Sequence, residues 1–274
     1  MQTTLIKTET IASQLALFAE QALIKEVTLT PKPGLVDRQS TGVHTDMDYD
    51  LFIRSAKTLT PYFQEMALVG ITEGISSRTR KQIAAIGRLA ERAMLKATNG
   101  VNTHKGAIWS LGLLVTVSAY QLSEENKLDL TQLFMQVATL VQFPDDYTVN
   151  QVTHGEAVKQ KYRVNGAYEE AAQGFPTLQK ALHMAKEYPH DDSDYALRVL
   201  SYLISQVEDT CILYRSDQDT LRKIQTVAYQ AASHAIPNVW FDRLTILCQQ
   251  KRVSPGGSAD LLAAFFFIES MDQE

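Results

Sequence analysis

Apolar side chains recur at every third or fourth position through almost the whole of this chain. Nowhere do they alternate long enough to make a half-buried strand. Ile11, Leu15, Phe18 and Ala22 share one helix face, and Glu26 continues the same stripe. A chain patterned in this way must bury helix faces against one another. The expected fold is therefore all-α, a single-domain multi-helix bundle over 1–274 with a polar cleft lined by helix ends and loops. At 274 residues, 45% of them hydrophobic, the chain is long enough for a sizeable core.

Punctuation marks divide this pattern. "PKPGLVDRQSTGVHTDM" breaks the first helix with two prolines and two glycines, and Asp46 or Asp48 is the expected cap of the next. "SSRTRKQIAAIGRLAERAMLKATNG" has serine at its start and Asn99-Gly100 at its end, as a bracketed helix should. Further helices are expected over 129–142, 154–163, 176–187, 192–214, 217–234, 238–251 and 257–271. The apolar run Ala107 to Tyr120 contains Ser, Gly and Thr and falls short of the roughly 20 residues of a membrane span. It reads as a buried core helix.

With 26 basic and 31 acidic side chains the formal charge is −5, which argues against nucleic-acid binding. It leaves room for an anionic small ligand, for which a few local cations suffice. The two cysteines, Cys211 and Cys248, have no metal or redox spacing, and the N-terminus lacks the pattern of a signal peptide. A cytoplasmic protein that touches no membrane is expected. The oligomeric state stays open.

Polar residues gather in four places. Glu26 lies at the inner end of its helix, where a carboxylate needs a cation, a metal or a donor. Lys32, Asp37, Arg38, His44, Asp46 and Asp48 follow in the loop. The D-x-D-x-D spacing at 46, 48 and 50 is not a calcium loop, because Leu51 stands where glycine is required. Next, Asn102, Thr103, His104 and Lys105 precede the apolar run, so the free N–H groups of that helix start would suit a phosphate. Gly106 and Gly112 favour close approach of another backbone or a ligand. Third, Thr153 and Glu156 fit a capping box, which leaves His154 unexplained. Fourth, Ser258 is the expected cap of the last helix, with Asp260 in its first turn, while Asp209, near Tyr214 and Arg215, has no local structural reason.

Together these clusters resemble the triphosphoribosyl-dephospho-CoA synthase family, which makes the prosthetic-group precursor of citrate lyase and malonate decarboxylase. The strings that carry the resemblance are "TPKPGLVDR" with "GVHTDMD", "GVNTHKGAIWSLGLL", "GFPTL", "EDT" and "SPGGSADLLA". Three positions depart from the family pattern: Tyr168 replaces an arginine, Cys211 an asparagine, and Ser216-Asp217 a glycine pair. The resemblance implies that ATP's triphosphoribosyl group passes to the 2′-hydroxyl of 3′-dephospho-CoA, with adenine leaving and Mg²⁺ assisting. A second transferase would load the product onto an acyl carrier protein.

Such chemistry develops positive charge at the ribose C1, by analogy with glycoside hydrolysis. It calls for carboxylates, a base, and cations for the triphosphate. Candidate catalytic groups are Glu26, His44, His104, His154 and Asp209. Candidate ATP and phosphate ligands are Lys32, Arg38, Asn102, Thr103, Lys105, Arg215 and Ser258. Asp37, Asp46, Asp48 and Asp260 are candidate metal ligands, and Glu26 or Asp209 would serve the ion equally. A rival reading makes the chain an all-α Mg²⁺-dependent phosphohydrolase, with "YPHDDSD" as part of its set, or a prenyl-diphosphate enzyme with aspartate clusters on Mg²⁺, and another makes it a non-catalytic nucleotide- or CoA-binding relative.

Overall fold

The computed structural model describes residues 2–145, 154–188 and 194–272. Among these every regular element is a helix, and there is no strand. At its centre stands α4 (Lys105–Glu125), flanked by α1 (Gln2–Thr28), α2 (Tyr49–Glu73), α3 (Ser77–Ala97), α5 (Leu130–Gln142) and α13 (Gly256–Asp272). α4 is 21 residues long and apolar enough to cross a membrane, but 72% of its apolar window is packed inside the protein. It is a core helix, as its Ser, Gly and Thr content leads one to expect. Close crossing is built in: a β-carbon on Gly112 would meet Met66 Sδ of α2 at 2.7 Å.

The helix starts follow the capping rules. Asp48, not Asp46, caps α2, accepting from Leu51 N at 2.9 Å, and Ser76 caps α3, accepting from Thr79 N at 3.1 Å. Asn99 and Gly100 take the left-handed conformations that end α3. The second half contains α6 (His154–Tyr162), α7 (Ala167–Ala172), α8 (Pro176–Ala185), α9 (Tyr195–Gln206), α10 (Thr210–Arg215), α11 (Gln218–Ala232) and α12 (Val239–Lys251). One hydrophobic core runs from Ala12 in α1 to Ile268 in α13.

Two expectations need correction. The helix expected over 192–214 is two helices, α9 and α10, because Val207 turns extended and Asp209 caps a new start. Ser258 is not a cap: α13 begins at Gly256, which puts Ser258 in the first turn and Asp260 beyond it. The short α7 is an element the periodicity did not reveal.

A buried carboxylate cluster at the start of the central helix

The last turn of α1 is the natural place to begin. Glu26 is buried at 4% exposure, and Lys32, from the loop that follows, is buried to the same degree. Lys32 Nζ donates to the Glu26 carbonyl at 2.8 Å and pairs with Glu26 Oε1. The ammonium thus satisfies an orphan carbonyl at the negative end of the helix while neutralising the carboxylate. Burial pushes Glu26 up and Lys32 down, and their mutual contact offsets part of both shifts.

Asp37 explains why the loop holds this shape. Its Oδ2 accepts from Lys32 N at 2.8 Å, and its Oδ1 from Gln39 N at 2.8 Å and Ser40 N at 2.9 Å. These three backbone donors occupy both oxygens, so Asp37 shapes the loop that delivers Lys32. Arg38 is exposed. His44 is half-buried, with Nδ1 3.9 Å from the exposed Asp46 carboxylate. Burial lowers its pKa, the nearby Arg215 lowers it further, and Asp46 opposes them.

His104 immediately precedes α4 and is 3% exposed. Its Nδ1 shares a 2.7 Å hydrogen bond with Ser55 Oγ, which also bonds Thr103 Oγ1 at 2.7 Å. The edge of Phe52 closes one side, ring centroids 5.0 Å apart. Nε2 has no partner. Burial and the Lys32 charge take its pKa down to about 3. At neutral pH the ring is therefore uncharged, so an imidazole titrating near neutrality does not stand here.

Two of the free N–H groups at the start of α4 are already taken by side chains. Asn102 Oδ1 accepts from Lys105 N at 3.1 Å, and the Asp260 carboxylate, reaching across from α13, accepts from Ala107 N. This contact requires glycine at 106, where a β-carbon would lie 1.9 Å from Asp260 Oδ2. Lys105 turns away to Glu91 of α3, Nζ to Oε1 2.5 Å. Asp260 keeps partial exposure. Burial first, then the charges of Glu26 and Asp209, hold its pKa well above the usual carboxylate range.

Asp209 completes the cluster. Its Oδ1 accepts from Cys211 N at 2.9 Å and Ile212 N at 3.3 Å, capping α10. Its Oδ2 accepts from Ser258 N at 3.0 Å and Ser258 Oγ at 3.2 Å. Asp209 therefore has the structural reason that its sequence context hid. Glu26, Lys32, Thr103, His104, Asp209, Ser258 and Asp260 come together around the start of α4, with Asp37 behind the loop and His44 and Arg215 alongside. Arg38, Asp46, Asp48, Asn102 and Lys105 face outward or serve caps and surface pairs. The side chain of His154, Thr153 and the "PHDDS" stretch with His190-Asp191 lie outside the described residues.

The ATP:dephospho-CoA triphosphoribosyl transferase family model, CitG, matches residues 12–274. The chain belongs to this family. It is 39% identical to the probable 2-(5''-triphosphoribosyl)-3'-dephosphocoenzyme-A synthase of Pseudomonas fluorescens Pf0-1, covering 98% of this chain and 95% of that one. The like-named protein of Azotobacter vinelandii is 38% identical over 96% of this chain and 92% of its own. No solved structure matches.

Two departures from the triphosphoribosyl transferase pattern have local uses here. Ser216 ends α10, and Asp217 caps α11 by accepting from Thr220 N at 2.7 Å. Tyr168 stacks on Trp109, centroids 6.2 Å apart. Sequence reasoning missed Ser55, which orients His104. Its signal was a hydroxyl inside an otherwise apolar stripe of α2.

Magnesium is tested by the donors themselves. Among the described residues no three His, Cys, Asp or Glu side chains form a ligand group. Asp37, Asp48 and Asp209 spend oxygens on backbone N–H groups. Asp260 has capacity left, beside Glu26. That set fits an ion whose remaining ligands are phosphates and water, which is how Mg²⁺ is usually held.

Proposed function

We propose that this chain transfers the 5-triphosphoribosyl group of ATP to the 2′-hydroxyl of 3′-dephospho-CoA, releasing adenine. The product would be the prosthetic-group precursor of citrate lyase or malonate decarboxylase, passed to a transferase that acts on an acyl carrier protein in the cytoplasm. The observation that carries this reading is the convergence of Glu26, His104 and Asp260 beside Lys32, in a chain 39% identical to a named synthase.

Departure of adenine leaves positive charge on the ribose. Burial and the nearby like charges favour the protonated form of Asp260, so it is assigned to give its proton to the departing adenine, which leaves a carboxylate beside the ribose cation. Its charge would then stabilise the transition state more than the ground state. Glu26 stands next to it to take the proton of the incoming hydroxyl, with Lys32 returning the balance of charge. His104, neutral and with Nε2 unpartnered, offers a hydrogen bond to substrate rather than a titrating base. Lys32 and Arg215 are the cations nearest the cluster for the triphosphate. Magnesium would neutralise that triphosphate, with phosphate oxygens and water as most of its ligands and Asp260 as the side chain with oxygen capacity left to reach it.

Incubation of the purified protein with ATP, Mg²⁺ and 3′-dephospho-CoA, followed by mass spectrometry, tests the reading. Free adenine with a triphosphoribosyl adduct is the expected outcome. ATP binding without adenine release overturns it in favour of a binding role, and release of phosphate or diphosphate in favour of a phosphohydrolase.

A further inference from the structure

On the flank of α4, five residues past His104, a second set of side chains is left unexplained by the carboxylate cluster. Arg80 of α3 is buried at 6% exposure, yet its Nε and Nη1 have no hydrogen-bond partner. Its guanidinium lies over the Trp109 ring, 5.1 Å from the centroid. Trp109 is held by a 3.1 Å bond from Nε1 to the Ala167 carbonyl and stacks on Tyr168 at a 30° interplanar angle. Tyr168 is the open member of the set, at 46% exposure.

The neighbouring cations are already neutralised. Arg88 bonds Asp145 at 2.6 Å, and Lys159, 5.8 Å from the Tyr168 centroid, pairs with Glu169. Arg80 has no carboxylate within ion-pair distance among the described residues. A buried guanidinium keeps its charge, and its N–H groups cost free energy until something accepts from them. The ligand that suits a planar fork beside two aromatic faces is a nucleotide, whose phosphate accepts from the fork and whose base stacks on the rings.

We propose that Arg80, Trp109 and Tyr168 form a subsite for the adenine–polyphosphate portion of a nucleotide. Phosphate oxygens accept from Arg80, and the base stacks on the Trp109–Tyr168 pair once the exposed tyrosine ring swings aside. The subsite rests on the proposed transfer reaction only in its choice of ligand, since both substrates of that reaction carry adenine and a di- or triphosphate. It also gives position 168 a role that its aromatic character explains.

The chain has two tryptophans, so Trp240→Phe makes Trp109 the sole indole emitter. The experiment titrates this protein with ATP and with 3′-dephospho-CoA in separate arms, following emission, then repeats both in Arg80→Gln and Tyr168→Ala backgrounds. One substrate is expected to change the emission saturably, which identifies the occupant. Its Kd should rise at least tenfold in Arg80→Gln and about fivefold in Tyr168→Ala. Should Arg80→Gln fail to fold by circular dichroism, Tyr168→Ala decides alone, because that side chain is exposed.

Silent Trp109 emission in both arms overturns the subsite, as does an unchanged Kd in the folded variants. Adenine release is assayed on the same preparations. Normal release with a silent Trp109 removes the subsite and leaves the transfer reaction standing. Binding that weakens in the variants without any adenine release keeps the subsite and removes the reaction.

Discussion

Asp209 and Asp260 each bring a carboxylate to a helix start, and the two starts treat it differently. At the start of α10, Asp209 accepts from four donors, two on its own helix and two on Ser258. At the start of α4, Asp260 comes from another helix, accepts from Ala107 N and presses against Gly106. Burial raises both pKa values. What separates them is unused capacity: Asp209 is saturated, while Asp260 has lone pairs to spare and two like charges nearby. Burial and a raised pKa do not by themselves distinguish a structural carboxylate from a reactive one.

The largest effect that follows is on turnover. Asp260→Asn keeps the shape and an oxygen for Ala107 N but removes the charge. Its kcat should fall by about a thousandfold, roughly 4 kcal/mol of barrier, while the melting temperature stays level or rises. Asp209→Ala should do the reverse. It strips the cap of α10 and leaves Ser258 without its acceptor, at a cost of about 2–4 kcal/mol read by urea unfolding. A stable Asp209→Ala protein, or an active Asp260→Asn enzyme, would break the distinction.

A subtler effect appears in the pH dependence of stability. Glu26, Asp209 and Asp260 all have pKa values raised by burial, so the folded state holds their protons more tightly than the unfolded chain. Below about pH 4, the usual carboxylate value, both states are protonated and these groups add no pH dependence. As pH rises above that value the unfolded chain ionises first, and stability falls until the folded groups ionise too. Asp260→Asn removes one share of this loss. Melting temperature plotted from about pH 4.5 to 7.5 should therefore fall less steeply in the variant. Identical slopes would mean that Asp260 is ionised in the resting protein.

The same contrast marks how far the sequence could be read. Periodicity carried the helical framework because burying one helix face leaves a trace every three or four residues. Ser76 was legible as a local cap, and Asp48 as one of two aspartates that could cap α2. The start of α10 was not, because its helix follows α9 with only a three-residue break and the apolar spacing runs across it. The site was legible in membership but not in roles. That Glu26 needs a partner follows from its stripe; that the partner is Lys32 depends on a loop folded by Asp37. The occupation of the α4 start by Asp260, and the unpartnered Arg80 beneath Trp109, depend on packing between segments far apart in the chain. No local pattern carries such information.

The smallest expected effect concerns Lys105, which the sequence places at the phosphates. In the structure its ammonium bonds Glu91, and its side chain is 45% exposed. An exposed pair of this kind is worth roughly 0–1 kcal/mol. Lys105→Ala should therefore lower the melting temperature by no more than about 1–2 °C and change ATP affinity in titration calorimetry by less than twofold. The reasoning depends on Asp260: with its carboxyl already on Ala107 N, the start of α4 is occupied, and phosphates belong nearer Lys32 and Arg215. A tenfold loss of ATP affinity in Lys105→Ala would mean that Asp260 leaves the helix start when nucleotide binds. The two carboxylates would then differ not only in spare capacity but in being fixed or exchangeable, and Asp260 would still be the reactive one.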